Sequence, residues 1–447
     1  MTSSLTTPVP NRPAPADPGG DPDRADARRW PDVAGSPRSS ARSRLAELVV
    51  RRLAGQLPLR VRLPDGRSFG GGGPEDPVLA LRRPGEFYRR VGVGGLIGFG
   101  EAYQAGDWDA EDLAGVLETF ASRIETIVPP VFQKLRHVHG RRRPAAETNT
   151  LTGSRSNISR HYDLSDQLFE LFLDATMSYS SALFDLDEQE APVACTGLLA
   201  LAQRRKIDRL LDLTGVGPGT RLLEIGTGWG ELAIRAAARG AHVHSVTISK
   251  NQFTYAADRV ARAGLEDRVT LDLRDYRELE PRVHDGRYDA IVSVEMLEAV
   301  GRDFWPEYFA RLDRLLAPGG RIGLQTITMP HPHMLASADT YTWIHKYIFP
   351  GGLIPSVTAI EQTLARHTRL RIYSDLAFGE HYAHTLRLWR ERFTAHAGQL
   401  SGLGFDSTFR RTWELYLAYC EAGFRAKRLD VHQFLLTRPS TRRPLPC

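Results

Sequence analysis

Leu222-Leu223-Glu224-Ile225-Gly226-Thr227-Gly228-Trp229-Gly230 decides how this chain folds. An apolar run meets three glycines at alternate positions, and Glu231-Leu232-Ala233-Ile234-Arg235-Ala236-Ala237-Ala238 continues with helical character. The pattern reads as a buried strand, a tight turn and a helix N-terminus. Glycine in such a turn lets backbone approach a ligand that a Cβ would keep away. Two readings stand together at this point: a turn that cradles a ligand, and a Gly-rich turn that only packs. Dinucleotide-binding G-x-G-x-x-G turns share the composition but not the spacing, which here is G-x-G-x-G with Glu224 two residues ahead.

Working outward, the segments after the turn alternate strand and helix. His242 to Ser249, Val269 to Tyr276 with its loop, Tyr288 to Val294 and Arg321 to Thr328 read as further strands, the last preceded by a Leu316-Ala317-Pro318-Gly319-Gly320 turn. Gln203 to Leu213 reads as a helix ahead of the first strand. This alternation predicts an α/β fold with a doubly wound, mostly parallel sheet. Ligands in such sheets bind beyond the carboxyl ends of the strands. The glycine turn, Gln252, Glu298 and Gln325 therefore fall along one crevice. Many nucleotide folds place an acid after the second strand to hold a ribose. This chain has Thr247-Ile248-Ser249-Lys250-Asn251-Gln252 there instead.

A length of 447 residues with 42% hydrophobic content suits two or three globular domains. No apolar run approaches the ~20 residues of a membrane span, and the first residues carry no apolar leader. Cys195, Cys420 and Cys447 form no C-x-x-C pair. A disulfide framework or a metal site is therefore not expected, and a cytoplasmic location is. Residues 1–40, rich in Pro, Ala, Asp, Arg, Gly and Ser, are expected to be disordered. Residues 41–135 are expected to form a small α+β domain, 136–156 a basic linker around Arg141-Arg142-Arg143, 157–438 the main domain and 439–447 a tail. Within Arg42 to Leu53, Leu45, Leu48, Val49 and Leu53 recur at helical spacing among arginines. Such a helix either packs on its domain or touches an anionic membrane surface.

Several motifs carry a resemblance. The glycine turn with its preceding acid resembles motif I of class I S-adenosylmethionine (SAM) methyltransferases. His161-Tyr162-Asp163-Leu164-Ser165 and the run from Phe172 to Phe184, F-L-D-x-T-x-x-Y-S-x-A-x-F, resemble the cyclopropane-fatty-acyl-phospholipid synthase and mycolic acid methyltransferase family. Gly98-Phe99-Gly100-Glu101-Ala102-Tyr103 through Trp108 is similar to the N-terminal domain that the long form of that family carries. Lys346 to Gly352, His381 to Leu386 and Phe424 to Lys427 extend the likeness towards Leu436.

The resemblance implies a class I SAM-dependent methyltransferase with a small lipid-associated N-terminal domain. It implies SAM contacts from Tyr179 and Ser180 of a lid-like segment, from Glu224, Gly226, Gly228 and Gly230, from Thr247 and the ribose-binding Gln252, and from Asp275 and Tyr276 at the adenine. It implies a bicarbonate as proton acceptor, held by Glu298, Tyr382 and main-chain groups at Ser181 and Ile327. Here Ser181 stands where the family has Cys, and Gln325 where it has His. A neutral amide can donate to an anion but has no useful basicity.

Gly-Thr-Gly-Trp-Gly-Glu, Val-Glu-Met-Leu-Glu-Ala-Val-Gly and Gln-Thr-Ile-Thr are most similar to an actinobacterial branch. That branch converts oleoyl phospholipids to 10-methylene, tuberculostearic-type acids. A separate reductase would complete the methyl branch, and cyclopropane formation is the alternative product. The enzyme would sit peripherally at the inner membrane surface, and a homodimer stays open. The post-strand [DN]-P-P-[YF] motif of nucleic-acid amino-methyltransferases is absent, which disfavours that class. The intact glycines and Glu298 disfavour an inactive lipid-binding module.

Overall fold

The structure is a computed structural model that describes residues 25–127, 153, 164–280, 287–338 and 340–439. The basic linker around Arg141 and the His161-Tyr162-Asp163 motif lie outside the described residues, as do residues 1–24 and almost all of the tail.

Four short strands, β1 (Arg60–Arg62), β2 (Ser68–Phe69), β3 (Val78–Leu81) and β4 (Trp108–Asp109), form a small sheet in the order β2-β1-β3-β4. The second sheet has seven strands: β5 (Arg221–Ile225), β6 (His242–Thr247), β7 (Val269–Leu273), β8 (Tyr288–Val294), β9 (Leu316–Thr328), β10 (Arg371–Ala377) and β11 (Asp430–Thr437). Their order is β10-β11-β9-β8-β5-β6-β7. The pairs from β9 to β7 are parallel, as the alternating pattern predicts. β11 slots antiparallel between β9 and β10.

Side chains alternate across β5, so its apolar run feeds two layers. Leu222 joins Leu210, Val243 and Ala290 on one face, whereas Leu223 and Ile225 join Ile291, Leu312 and Ile360 on the other. The helix Leu199–Thr214 covers the first face and stops at Gly215, whose φ of 72° provides the left-handed cap that glycine adopts without strain. The Leu316 to Gly320 turn is absorbed into β9. There the register against β8 jumps from Tyr288↔Leu316 to Ala290↔Arg321, so the glycines form a bulge inside a strand.

Residues 25–40, placed by composition in a disordered segment, are held to the fold by buried Trp30 and Val33. Trp30 is buried, and its indole N–H donates to Asp406 Oδ2 at 2.9 Å. One tryptophan anchors a segment whose average composition hides it. The core around Trp30 and Trp108 runs without a break into Phe169, Trp389 and Trp413 of the main domain. Gln104 bridges the two, accepting from Trp343 Nε1 at 2.9 Å and donating to Thr412 Oγ1 at 2.8 Å. Lys346 pairs with Asp32 at 2.7 Å and Glu101 at 2.6 Å across the same junction.

Candidate active site

The three glycines of the turn all have left-handed φ: 94° at Gly226, 52° at Gly228 and 91° at Gly230. Their surroundings assign them different tasks. A Cβ at Gly226 would stand 2.8 Å from Met296 Cγ, and one at Gly230 would stand 3.1 Å from Ala256 Cβ. A Cβ at Gly228 would meet nothing within 4 Å. Gly226 and Gly230 thus permit packing, and Gly228 keeps a cradle open at the end of β5.

This cradle is part of a cavity walled by the segment around Tyr179 and Ser180, by Thr247 and Gln252 after β6, and by Asp275 and Tyr276 after β7. Every residue expected to contact SAM lines it except Gly230. The residues present fit the cofactor: the glycine backbone comes to the open space, and Glu224 stands buried beside it. Burial pushes the Glu224 acid up to about 8, against the hydroxyl that Ser245 donates at 2.5 Å. Gln252 is oriented by accepting from Thr247 Oγ1 at 3.0 Å. Asp275 is turned to its own neighbour and accepts from Arg277 Nε at 2.9 Å and Nη2 at 2.7 Å.

The five residues expected at the reacting carbon gather around two carboxylates. Ser181 N–H, Gln325 Nε2 and Tyr382 Oη each donate to Glu295 at 2.9 Å. The main-chain N–H of Ile327 donates to Glu298, as does Thr326 Oγ1 at 2.9 Å. Ser181, Gln325 and Tyr382 therefore meet at Glu295, and of the five only Ile327 meets Glu298. Glu298 Oε2 is shielded and has no hydrogen-bond partner among the described residues. Burial, and then the charge of Glu295, push the Glu298 acid up to about 8. The Glu295 acid is raised by burial, with Lys206, Ser181, Gln325 and Tyr382 all opposing the shift.

A second layer holds the first. Gln325 Oε1 accepts from Gln433 Nε2 at 2.9 Å, and Gln433 Oε1 accepts from Arg209 Nη1 at 2.6 Å. Lys206 is buried, and its ammonium donates to Ser180 Oγ at 2.5 Å. Desolvation lowers its pKa to about 8, opposed by the charges of Glu295 and Asp174.

Glu295, Lys206, Gln433 and Arg209 were not singled out from the sequence. Two had a readable signal. Glu295 is an ionisable group placed directly after the apolar run of β8, where a doubly wound sheet presents its ligands. Lys206 shares a helical stripe with Leu199, Ala202 and Leu210, so a charge falls on the buried face. Gln433 and Arg209 carry no such signal.

Residues 149–434 match the family described as mycolic acid cyclopropane synthetase. The tuberculostearic acid methyltransferase UfaA1 of Mycobacterium tuberculosis is 52% identical over 417 residues, which cover 92% of this chain and 96% of that protein. The cyclopropane-fatty-acyl-phospholipid synthase of Escherichia coli is 33% identical over 87% of this chain and 93% of its own length. Among solved structures, mycolic acid cyclopropane synthase CmaA1 complexed with SAH and CTAB superposes with a TM-score of 0.55 at 31% identity, over 63% of this chain and 97% of that one.

Proposed function

The chain belongs to the mycolic acid cyclopropane synthetase family, and on that premise we propose that it methylates the double bond of an oleoyl phospholipid and releases a 10-methylene acyl chain. It is a SAM-dependent methyltransferase of fatty acyl chains. The oleoyl substrate and the methylene product are the finer part of the proposal. The observation that carries them is the 52% identity to a tuberculostearic acid methyltransferase across both the small N-terminal sheet and the main domain.

SAM supplies an activated methyl group and leaves a cation on the acyl chain. The protein must then bind, orient, exclude water and take one proton. The Gly228 cradle, Glu224 and Gln252 hold the donor. Tyr179, Trp389 and Tyr382 turn aromatic surface towards one another beside the held acid, with Tyr179 and Trp389 centroids 5.3 Å apart. Aromatic faces tolerate a nearby cation and leave no water to trap it. Ser181, Glu298, Gln325, Ile327 and Tyr382 are proposed to shape the reaction centre. A bicarbonate does not fit the donors present: Ser181, Gln325 and Tyr382 already hold the carboxylate of Glu295. No step is therefore routed through it. A reductase acting on the exocyclic alkene would complete a methyl branch.

Membrane contact belongs to the same proposal. In the helix Ser40–Ala54 the apolar stripe faces outward: Leu45 is 63% and Leu48 67% exposed, while Ala46 and Ala54 are buried. A Cβ at Gly92 would stand 2.6 Å from Arg42 O, so the helix Pro84–Gln104 crosses closely and adds exposed Val93 and Leu96. Arg42, Arg44, Arg51 and Arg52 surround this surface, which suits an anionic bilayer holding the acyl substrate. No helix among the described residues is long and apolar enough to cross a membrane.

Incubation with labelled SAM and dioleoyl phospholipid vesicles, with mass spectrometry of the derivatised acyl product, tests the proposal. An exocyclic methylene is expected. A cyclopropane ring would move the enzyme to the alternative product, and no lipid labelling would refute the reading.

A further inference from the structure

We propose that the carboxylate of Glu295 is itself the proton acceptor that ends the reaction, built into the seat where a bound bicarbonate would otherwise lie. The inference rests on the methyltransferase reading above and names the group that completes its chemistry.

Geometry carries the assignment. Glu295 lines the cofactor cavity alongside Ser180, Lys206 and Met296, whereas Glu298, Gln325 and Tyr382 are not among its lining residues. Three donors from three separate elements converge on it: the main-chain N–H of Ser181, an amide from β9, and a phenol from the helix Gly379–Ala395. A small anion would use the same three. Gln325 cannot turn its carbonyl towards the site, because Gln433 donates to that oxygen, and Arg209 fixes Gln433 in turn. The amide therefore points its N–H at Glu295 and can only donate.

The backbone makes a second, independent point. Glu295 has a φ of 50°, in the left-handed region that glycine favours. A carboxylate with a side chain on a strained backbone, set into a protein interior, carries two penalties at once. Such strain collects where a group must be aimed. Its main-chain N–H donates to Gln325 O at 2.8 Å, which locks the strained residue against β9.

The two acids are driven apart in character. Burial raises the Glu295 acid, and its three donors and the Lys206 charge oppose that rise. Glu298 has the Glu295 charge nearby, an unpartnered Oε2 and a pKa pushed up to about 8, so it keeps its proton at neutral pH. Of the two acids, Glu295 is the one that lines the cavity and has three donors aimed at its carboxylate.

The alkene π pair forms the new C–C bond to the methyl group, and the pair of the methyl–sulfur bond stays on sulfur. A cation remains on the neighbouring acyl carbon, and a hydride shift moves it to the methyl-bearing carbon. One C–H bond of the new methyl breaks, and its pair closes the exocyclic C=C. The proton goes to a Glu295 oxygen, giving the neutral acid, and passes to water when the product leaves.

Three measurements on the full chain test this. Wild-type turnover on dioleoyl vesicles should be the same in carbonate-stripped and carbonate-supplemented buffer, and a fall of more than about threefold on stripping overturns the proposal. Glu295→Gln should lose about 10²-fold or more in turnover while SAH binds by calorimetry within about threefold of wild type, and near-wild-type turnover overturns it. Should that variant fail to fold, the wild-type comparison still decides. Labelled bicarbonate, followed by ¹³C NMR without SAM or lipid, should not bind wild type but should bind Glu295→Gly and restore part of its turnover. Wild-type binding, or none by a folded Glu295→Gly, refutes the shared seat. If wild type methylates no lipid, the methyltransferase reading has failed, whereas the bicarbonate titration still reports on the seat.

Discussion

Glu298→Gln is expected to stabilise the protein, and increasingly so as the pH rises. Glu298 Oε1 accepts from Ile327 N–H and Thr326 Oγ1, and Oε2 is shielded without a partner among the described residues. The Gln oxygen keeps both acceptor bonds, and its amino group takes the place of the protonated oxygen. The Glu298 pKa rises in the fold from the model-peptide range to about 8. The folded protein therefore binds that proton more tightly than the unfolded chain does. The resulting stability is fully present below about pH 4.5 and is lost as pH climbs through about 8. The rise to about 8 sets a ceiling of about 5 kcal/mol. Glu298 keeps intermediate accessibility as a residue, so screening by solvent reduces the expected effect to about 2–3 kcal/mol. Urea unfolding of both proteins at about pH 5 and about pH 8.5 measures it. The two should be nearly equal at the lower pH, with the variant ahead by that amount at the higher one. Glu224, with a similarly raised acid, is common to both and cancels. A stability difference that does not change between the two pH values would refute the protonated Glu298 and the division of labour drawn from it.

Other outcomes follow from the same geometry. Gly228→Val should stay folded, at a cost of about 1–2 kcal/mol for the left-handed backbone, and should weaken SAH at least about tenfold by calorimetry; unchanged affinity would remove the cradle. Tyr382→Phe deletes a donor that helps keep Glu295 ionised. The acid limb of its kcat profile should move to higher pH, and an unmoved limb would mean that the phenol does not tune that acid. Replacing Arg42, Arg44, Arg51 and Arg52 with Gln should weaken flotation on anionic vesicles by up to about 1 kcal/mol per residue, with added salt mimicking the loss. Leu45→Ser with Leu48→Ser should weaken it at any salt. Flotation that ignores both sets would place the lipid surface elsewhere.

Much of the sheet was legible because periodicity and glycine spacing are local signals. Tyr288 to Val294 is recovered to the residue, and the turn after β5 lies at the mouth of the cavity. β10 and β11 were not read, since an antiparallel extension of a parallel sheet has no motif of its own. The residues expected around one acid gather around two, and the register of their meeting was hidden. Glu295 and Glu298 are three residues apart, and Glu295, at a left-handed φ, is the acid that meets Ser181, Gln325 and Tyr382. A backbone angle of that kind is set by the surrounding fold rather than by a propensity. Trp30 was missed for the opposite reason, since averaging over a polar segment erases one buried ring.

β11 enters the sheet between strands that precede it in the chain, and Gln433 on that strand backs the amide that holds Glu295. All the residues that wall the cofactor cavity come earlier, between Thr176 and Val300. Capture of the methyl donor and aiming of the proton acceptor are thus encoded by different stretches of the polypeptide. A folding intermediate with β5 to β8 formed but β11 undocked would already own a donor pocket, yet hold its acid without a fixed partner amide. Competence to bind would precede competence to react, and the interval between them would be the time the last strand takes to find its slot.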